Sequence, residues 1–489
     1  MSLKDRVLDG VLWVGASSLV SQGIGIASSI ILARLLSPGD FGLLEITLVL
    51  VTLSSVLTEF GLGQALVQWD GSDVHIAADT SLIICISLSA ILCALLIFLA
   101  PLIASFYQLQ EATGVIRAMS FSVFLGGVGI VPSSLLERKL DFRRKTLSEI
   151  VPRVCYGIVA IGLALLGMGV WSLVIGQLSG GLLQSLFVWA CSDFRPSCRL
   201  AKPVARRLLR FGGPLVFMSL LLLATRKMDI AYLGRRTNVT EVGFYGLAMT
   251  ISNLTVDLTA SLLGRVTFPA FARLQGDFDK LAQAYLKATR FISYAALPAI
   301  LGGVAVAPAA IIAVYGAKWA RVALLFRILA IYAISRSLSR LSGSIFTATG
   351  HPGTTTRIVV LRLILFATLL LLLGAAWGTS GAAWAASLSM LAAGVWSIWL
   401  TNRHLGVAHR SFLAAIGPQM IAAGIMCVLI SFLGRISMMP WMLSVIQVAC
   451  GIILYVIFLF ALASETVRAD LQEIWELMRQ RVPKVLPRH

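Results

Sequence analysis

Charged residues are scarce in this chain. They make up 13% of its 489 residues, whereas 58% are hydrophobic and the mean hydropathy is +0.90. Soluble domains are about one quarter charged, so this composition excludes a water-soluble globule, which would have too few polar residues to cover its surface. Long polar segments are also missing, because the longest stretch outside the apolar runs is the tail, 464–489. No nucleotide-binding domain and no glycosyltransferase domain fits in segments of this size.

Cysteine and histidine are few and lack the spacing of a metal or redox site. None of the seven cysteines forms a CxxC pair, and the five histidines are scattered over short joints and the tail. We therefore expect free, mostly apolar cysteines, no metal ion and no cofactor. A polysaccharide polymerase or ligase would need a large outer loop or clustered catalytic residues, and the sequence shows neither. A transporter is favoured over an enzyme.

Uninterrupted apolar runs of about twenty residues dominate the sequence. A transmembrane β-barrel would instead show segments of about ten residues with alternating polarity, so the runs predict membrane-spanning helices. The first run is too long for the core of a signal peptide and is interpreted as a retained span. We predict an all-α integral membrane protein with about fourteen transmembrane helices, over these segments: 10–33, 41–68, 79–104, 114–136, 147–167, 170–191, 209–233, 242–265, 289–314, 323–348, 356–376, 379–401, 411–433 and 441–463.

The net charge of +18 reflects membrane topology, and no nucleic-acid partner is expected. The basic residues lie in short joints between the apolar runs and form no single patch, with clusters at 137–145, 195–210 and 273–290. These joints alternate with joints that carry few Lys or Arg, and cytoplasmic loops are the ones enriched in positive charge. The bias predicts that both termini are cytoplasmic and that the basic joints rest against anionic membrane lipids.

Short motifs recur in the same order in the two halves of the chain. Phe41-Gly42-Leu43 resembles Tyr245-Gly246-Leu247 at an offset of 204, and three later motifs recur at offsets that grow to about 212. The pattern predicts two parallel six-helix lobes related by a pseudo-two-fold axis along the membrane normal, followed by two C-terminal helices. The predicted domains are the two lobes at 1–195 and 196–403, the two additional helices at 404–465 and a cytoplasmic amphipathic tail at 466–489.

The tail after the last apolar run carries a helical pattern. Its apolar residues recur three to four positions apart, at Val467, Leu471, Ile474 and Met478. This spacing places them on one face of a helix. The pattern predicts either an amphipathic helix lying on the inner leaflet or an ordinary solvated helix.

Five motifs carry a resemblance to a known family: LARLLSPGDFG (32–42), FGLGQALVQ (60–68), ERKLDFRRK (137–145), FPAFARLQ (268–275) and RILAIYA (327–333). Over about residues 1–465 the chain resembles the polysaccharide transporter branch of the multidrug/oligosaccharidyl-lipid/polysaccharide (MOP) flippase superfamily. Within that branch it is similar to Wzx-type and colanic-acid-exporter-like flippases of lipid-linked oligosaccharides.

The resemblance implies a fold, a substrate and a place in the cell. It implies two six-helix lobes that work by alternating access. The implied substrate is a polyprenyl-pyrophosphate-linked oligosaccharide, moved from the inner to the outer leaflet of the bacterial inner membrane for cell-surface polysaccharide synthesis. Polysaccharide polymerase and export proteins are candidate partners. The alternative is a multidrug or small-molecule cation antiporter of the same superfamily.

Basic residues inside the predicted spans are candidate substrate contacts, because an ionisable group in the membrane is costly unless it meets water, a partner or a ligand. Arg336 and Arg340 lie one turn apart, and paired guanidinium groups suit a pyrophosphate head group. The alternatives for this pair are an ion pair with an acid of another span, such as Asp257 or Glu59, and snorkelling toward a membrane interface. The other basic candidates for substrate binding are Arg226, Lys227, Arg265 and Arg34. For these, pairing with an acid of the same helix or anchoring at the membrane interface is the simpler alternative.

Three acids are candidates for coupling transport to an ion gradient: Glu59, Asp257 and Asp229. A carboxyl group in low dielectric can carry a proton or, with neighbouring oxygens, a sodium ion. The alternative is that these acids only neutralise nearby arginines, for example Asp229 with Arg226 three residues earlier. The sequence leaves both coupled antiport and passive flipping open.

Overall fold

The computed structural model describes residues 20–71, 73–139, 141–197, 199–434, 436 and 438–481, without the side chains of 142, 258–270, 272, 471, 473, 474 and 476–481. Over these residues the secondary structure is helical, with one 3-10 turn at Ala317–Trp319 and no strand. Eleven of the helices are long and apolar enough to cross a membrane. The predicted all-α, multi-pass membrane fold is therefore confirmed.

The helices of the described residues follow one another with short joints. They are α1 (Val20–Leu35), α2 (Pro38–Glu59), α3 (Leu62–Val67), α4 (Val74–Phe106), α5 (Ala112–Arg138), α6 (Phe142–Leu165), α7 (Val170–Cys191), α8 (Lys202–Arg236), α9 (Val239–Arg273), α10 (Phe278–Tyr315), α11 (Arg321–Ala348), α12 (Pro352–His404), α13 (His409–Leu433) and α14 (Pro440–Arg481).

The helix boundaries account for most of the predicted spans. The 53 residues of α12 are interrupted at Gly378, where φ is 56° and ψ is −130°, so two helical segments meet at this glycine. The predicted spans 356–376 and 379–401 lie on the two sides of that break. The predicted span 242–265 lies within α9. The total of fourteen spans stays a prediction.

The chain packs into two compact units. Unit 1 comprises Met1–Gly246 and Leu370–Ala382, and unit 2 comprises Leu247–Leu369 and Ala383–His489. In unit 1, α4 packs along α5 and α6 packs along α7. The predicted domain boundaries stay a prediction.

Hydrogen-bonded caps start two helices of unit 1. The Asp40 N–H donates to Ser37 Oγ at 3.2 Å, and the Ser37 N–H donates back to Asp40 Oδ2 at 2.8 Å, which forms a capping box at the start of α2. Pro38 occupies the first turn, where its missing N–H costs nothing. α9 starts in a related way, since the Glu241 N–H donates to Asn238 Oδ1 at 2.8 Å.

The first turns of α2 and α9 touch backbone to backbone in unit 1. A Cβ on Gly42 would lie 1.8 Å from the Val239 carbonyl oxygen, and a Cβ on Gly243 would lie 1.9 Å from the Pro38 carbonyl oxygen. Only glycine permits such an approach. The reciprocal contact pairs positions 42 and 243, an offset of 201 residues. This differs from the offset of 204 predicted from Tyr245-Gly246-Leu247, because a glycine beside an aromatic residue also occurs at Gly243.

Two glycines of unit 1 share one unusual backbone conformation. Gly169, the N-cap of α7, has φ 54° and ψ −134°, and Gly378 has φ 56° and ψ −130°. Each glycine lies directly before the last predicted span of one six-helix lobe, 170–191 and 379–401 respectively. The recurrence of this conformation supports an internal duplication.

Unit 2 is built around α11, most of whose side chains are buried. α13 and α14 both pack on α10, and Met426, Tyr455 and Leu459 belong to the apolar cluster between them. α14 is interrupted at Ala463, where φ is −147° and ψ is 40°, so the residues after it form a separate helical segment. This segment begins the predicted tail.

Candidate functional site

Polar residues of α11 and α9 face each other in unit 2. On α11, Tyr332, Arg336 and Arg340 recur every four residues and therefore lie on one side of the helix. Asn253 and Asp257 have the same spacing on α9.

Asn253 and Tyr332 fix the orientation of the Arg336 guanidinium. Asn253 Oδ1 accepts hydrogen bonds from Arg336 Nη1 and from the Tyr332 hydroxyl, the latter at 3.2 Å. Arg336 Nη1 also donates to the Tyr332 hydroxyl oxygen at 3.0 Å. The three side chains form a closed triangle of hydrogen bonds, which restricts the rotamers available to Arg336.

Asp257 lies between the two arginines. Its Oδ1 atom is 3.8 Å from Arg336 Nη2 and 3.6 Å from Arg340 Nη1. These separations exceed those of a hydrogen-bonded, bidentate carboxylate pair. The ion pair with Asp257, one of the alternatives that the sequence left open, is present, but one carboxylate faces two guanidinium groups and cannot neutralise both.

A third guanidinium lies close to this pair. Arg362 Cζ is 5.8 Å from the centroid of the Tyr332 ring, the same distance as Arg336 Cζ, so two cations contact one aromatic ring. We call Asn253, Asp257, Tyr332, Arg336, Arg340 and Arg362 the cationic cluster. The side chains of Asp257, Arg340 and Arg336 are 50%, 43% and 24% exposed, so a ligand can reach them.

An apolar cavity of about 650 Å³ lies in the same unit. Residues of α9, α10, α11, α13 and α14 line it, among them Leu254, Pro298, Gly302, Gly303, Met426 and Gly451. Leu254 and Thr255 line the cavity, and both lie between Asn253 and Asp257 in sequence. α9 therefore contributes to the cationic cluster and to the cavity within one turn.

The basic candidate Lys227 has an acidic partner in unit 1. Lys227 Nζ donates to Glu45 Oε2 at 2.8 Å, and the two side chains are 25% and 21% exposed. A Cβ on Gly246 would lie 3.0 Å from Glu45 Cγ. Glu45 is therefore held between a cation and a close backbone, and the pair is largely shielded from solvent.

The acidic candidate Asp229 is buried in unit 1 and has neutral partners. Its carboxylate accepts hydrogen bonds from the Tyr245 hydroxyl at 2.6 Å and from the Ile230 N–H at 2.8 Å. Arg226 is exposed, and no ion pair joins it to Asp229 within the described part of the chain. The pairing at a spacing of three residues, expected as the simpler alternative, does not form.

The remaining candidates lie apart from these groups or outside the description. Arg34 is exposed near the end of α1, and Glu59 is the exposed last residue of α2, both in unit 1. Arg265 lies in α9, but its side chain is outside the described residues. The structure thus brings Arg336, Arg340 and Asp257 together.

The family described as "Polysaccharide biosynthesis protein" matches residues 31–324 of this chain. The chain belongs to this family. It lies in the polysaccharide transporter branch of the MOP superfamily, so the resemblance inferred from the sequence motifs is confirmed. The match includes α2 to α10, and therefore Asn253 and Asp257 of the cationic cluster.

Named relatives of this polysaccharide biosynthesis family protein come from several bacteria. It is 24% identical over 387 residues to "Lipopolysaccharide biosynthesis protein WzxC" of Escherichia coli (strain K12), which covers 78% of each chain. It is 24% identical over 356 residues to "Teichuronic acid biosynthesis protein TuaB" of Bacillus subtilis (strain 168), covering 72% of this chain and 73% of the relative.

Solved structures share the fold of this family member at low sequence identity. "Lipid II flippase MurJ, inward closed conformation" aligns with a TM-score of 0.78 at 14% identity, covering 94% of this chain and 100% of the other. An inward-facing multidrug resistance MATE family transporter of the MOP superfamily aligns with a TM-score of 0.64 at 16% identity, covering 79% and 94%. These likenesses establish the MOP-type fold.

Proposed function

We propose that this protein is a flippase that moves polyprenyl-pyrophosphate-linked oligosaccharides from the inner to the outer leaflet by alternating access. The observation that carries the proposal is the cationic cluster beside an apolar cavity, with α9 contributing to both within unit 2. The substrate has the same two parts, an anionic pyrophosphate and a long apolar chain. The names of the family relatives, which concern lipopolysaccharide and teichuronic acid biosynthesis, support this substrate class.

The cationic cluster suits a pyrophosphate because, among its described contacts, one carboxylate, that of Asp257, faces the two guanidinium groups of Arg336 and Arg340. Guanidinium groups form paired, charge-assisted hydrogen bonds with phosphate oxygens. Arg336 is already oriented by Asn253 and Tyr332, so less side-chain entropy is lost when a head group binds. A pyrophosphate that approaches Arg336 and Arg340 competes with the Asp257 carboxylate. This competition is weak because Asp257 Oδ1 is 3.6 to 3.8 Å from the arginine nitrogens.

The apolar cavity suits a prenyl chain in lining and volume. Its lining is dominated by aliphatic residues and glycines, and its volume of about 650 Å³ lies within the usual range of ligand sites, roughly 300 to 1,000 Å³. Lipid tails are as apolar as the cavity, so the hydrophobic effect supplies little affinity there. The cavity therefore contributes position, and the head group contributes most of the binding energy.

Asp257 is the acid best placed to link substrate binding to an ion. Its carboxylate faces both arginines, so a pyrophosphate that binds them competes directly with it. Glu59 and Asp229 stay coupling candidates of lower rank, since Glu59 is exposed and Asp229 is held by Tyr245. Arg226, Lys227, Arg265 and Arg34 are secondary candidates for substrate contact.

The proposed setting is the bacterial inner membrane, with both termini cytoplasmic. The distribution of Lys and Arg among the joints supports this orientation through the positive-inside rule. The same basic joints are expected to contact anionic lipids, and polysaccharide polymerase and export proteins are proposed as partners. The role is transport, with no catalytic step assigned to the chain.

The test is a flipping assay in proteoliposomes with a fluorescent polyprenyl-pyrophosphate saccharide. Wild type is compared with Arg336→Ala plus Arg340→Ala, with and without a pH or sodium gradient. Each charge-assisted hydrogen bond lost costs about 1.5 to 3 kcal/mol, so we expect the double variant to flip at least tenfold more slowly. Arg357→Ala plus Arg410→Ala, which removes two exposed arginines of unit 2, is the matched control and should retain the wild-type rate.

Two outcomes would contradict the proposal. Equal flipping rates in both double variants, each shown to be folded by gel filtration, would remove the cationic cluster from the mechanism. Wild-type protein that never flips the lipid under any gradient, but accumulates a small organic cation, would instead establish the antiporter.

Loss of the gradient dependence in Asp257→Asn would support the coupling role of this acid.

A further inference from the structure

The tail segment after Ala463 packs against the helices of unit 2. Val467 is buried in the apolar cluster that includes Met426, Tyr455 and Leu459. The break at Ala463 turns the segment so that it meets these helices. The sequence pattern predicted an apolar face for the tail, and Val467, the residue of that face whose side chain is described, packs against protein.

Asp470 fastens this segment to α10 with both carboxylate oxygens. Arg290 Nη2 donates to Asp470 Oδ1 at 2.8 Å, and the Tyr294 hydroxyl donates to Asp470 Oδ2 at 3.0 Å. The side chain of Asp470 is 7% exposed and that of Arg290 is 26% exposed. A buried carboxylate is costly unless it is paired and hydrogen-bonded, and both oxygens of Asp470 have such partners. Detachment of the segment is unfavourable because it breaks both of these contacts. We call Arg290, Tyr294 and Asp470 the tail clasp.

The tail clasp reaches the apolar cavity through Tyr294. Tyr294 lines the cavity, and Tyr455, another lining residue, donates a hydrogen bond from its hydroxyl to the Tyr294 carbonyl oxygen at 3.2 Å. The tail segment is thus hydrogen-bonded to a residue of the α10 wall, and the part of α14 before the break at Ala463 is hydrogen-bonded to the same residue. A carboxylate on the tail therefore contacts one side chain of the cavity wall.

We propose that the tail clasp holds the α10 wall of the apolar cavity in place, with Asp470 as the positioning residue for Tyr294. Release of Asp470 frees Tyr294 and loosens this wall, which changes the access of an apolar chain to the cavity. The mechanical link, by which the tail segment holds α10 through the tail clasp, is independent of transport. The effect on the access of an apolar chain rests on the proposed function.

The mechanical link is tested by hydrogen exchange of the full-length protein in nanodiscs, without substrate. Asp470→Asn keeps the shape of the side chain and removes the charge, whereas Glu465→Gln removes an exposed charge of the same segment and is the matched control. We expect about tenfold or faster amide exchange in Asp470→Asn, both in 464–470 and around 290–300 of α10, because a broken buried ion pair is strongly destabilising. Tyr294→Phe should accelerate exchange less, since Arg290 still holds the tail.

A charge reversal separates pairing from general damage. Arg290→Asp and Asp470→Arg should each accelerate exchange in both regions, and the double variant should restore much of the protection. Faster exchange in the tail with unchanged exchange in α10 would overturn the proposal, because the tail would then be docked without holding the wall. Equal exchange in Asp470→Asn and Glu465→Gln would overturn it as well.

The effect on transport is measured with the same variants in the proteoliposome assay. We expect a flipping rate in Asp470→Asn that differs at least threefold from Glu465→Gln. If the wild type flips the lipid and these two variants flip it at equal rates, the proposal that the tail clasp governs the access of an apolar chain to the cavity is wrong. If wild type does not flip at all, the proposed function fails, while the exchange data still decide whether the clasp exists.

Discussion

Replacing Gly42 with alanine perturbs the closest backbone approach in unit 1. The new Cβ would lie 1.8 Å from the Val239 carbonyl oxygen, whereas ordinary contacts of a Cβ begin at 3.4 Å, so the two helix ends must separate by about 1.6 Å. The opposing atom belongs to the backbone and cannot rotate away. Overpacking of this kind costs about 1 to 3 kcal/mol. Alanine brings a gain of about 1 kcal/mol to a helix interior, so we expect a net loss of up to about 2 kcal/mol of unfolding free energy.

The reciprocal geometry sharpens the prediction. Gly243→Ala should cost as much as Gly42→Ala, because its Cβ would lie 1.9 Å from the Pro38 carbonyl oxygen. The double variant should cost less than the sum of the two, since one separation relieves both clashes. The matched control is Gly39→Ala in the same turn of α2, where the added Cβ meets only two hydroxyl oxygens at 3.6 Å.

The assay is unfolding in mixed detergent micelles, followed by circular dichroism, for the wild type and these four variants. Gly39→Ala should be as stable as wild type or slightly more stable. Gly42→Ala and Gly243→Ala should lose similar amounts of unfolding free energy. The reasoning is refuted if Gly42→Ala is as stable as Gly39→Ala, or if the two clashing substitutions add fully in the double variant.

Three further predictions use the same preparations. Gly169→Ala and Gly378→Ala should each cost about 1 to 3 kcal/mol of unfolding free energy, because both glycines have a backbone conformation that side chains disfavour; variants as stable as wild type would contradict this. Lys227→Met alone should destabilise the protein more than Lys227→Met combined with Glu45→Met, because the single variant leaves a carboxylate without its cation. An equal or larger loss of unfolding free energy in the double variant, in the same assay, would contradict this prediction. Tyr332→Phe should raise the KM for flipping about fivefold, equivalent to about 1 kcal/mol, with little change in kcat, because the hydroxyl orients an arginine that remains charged; a titration of substrate with unchanged KM would remove this positioning role.

Local spacing predicted the two rows of the cationic cluster. Residues four apart in a helix share a face, so Arg336 with Arg340, and Asn253 with Asp257, could be placed on faces from sequence alone. Their meeting could not, because it depends on how α9 and α11 pack. Arg362 shows the limit most clearly: it lies on α12, far along the chain, and only the fold brings it to the ring of Tyr332.

Hydrophobic patterning located helices well and their partners poorly. Val467 was correctly assigned to an apolar face, but apolar periodicity is equally satisfied by lipid or by protein. Asp470 carried no signal at all, because one acid in a charged tail resembles a solvated residue until its partners are known. The register of the repeat stays a prediction at the start of α9, where the backbone contact of Gly42 and Gly243 could not be foreseen from the matching motifs.

The balance of charge in the cationic cluster connects stability with binding. Fully neutralised arginines would bind an anion only by breaking strong ion pairs, whereas arginines without any acid would be costly at membrane depth. Asp257 at 3.6 to 3.8 Å from two guanidinium groups lies between these limits. Asp257 lowers the free-energy cost of keeping two arginines in the membrane without a ligand. A ligand with more negative charge than one carboxylate can displace it from them. A pyrophosphate meets that condition and an organic cation does not, which is why the arrangement favours a lipid-linked anion over the substrates of a cation antiporter.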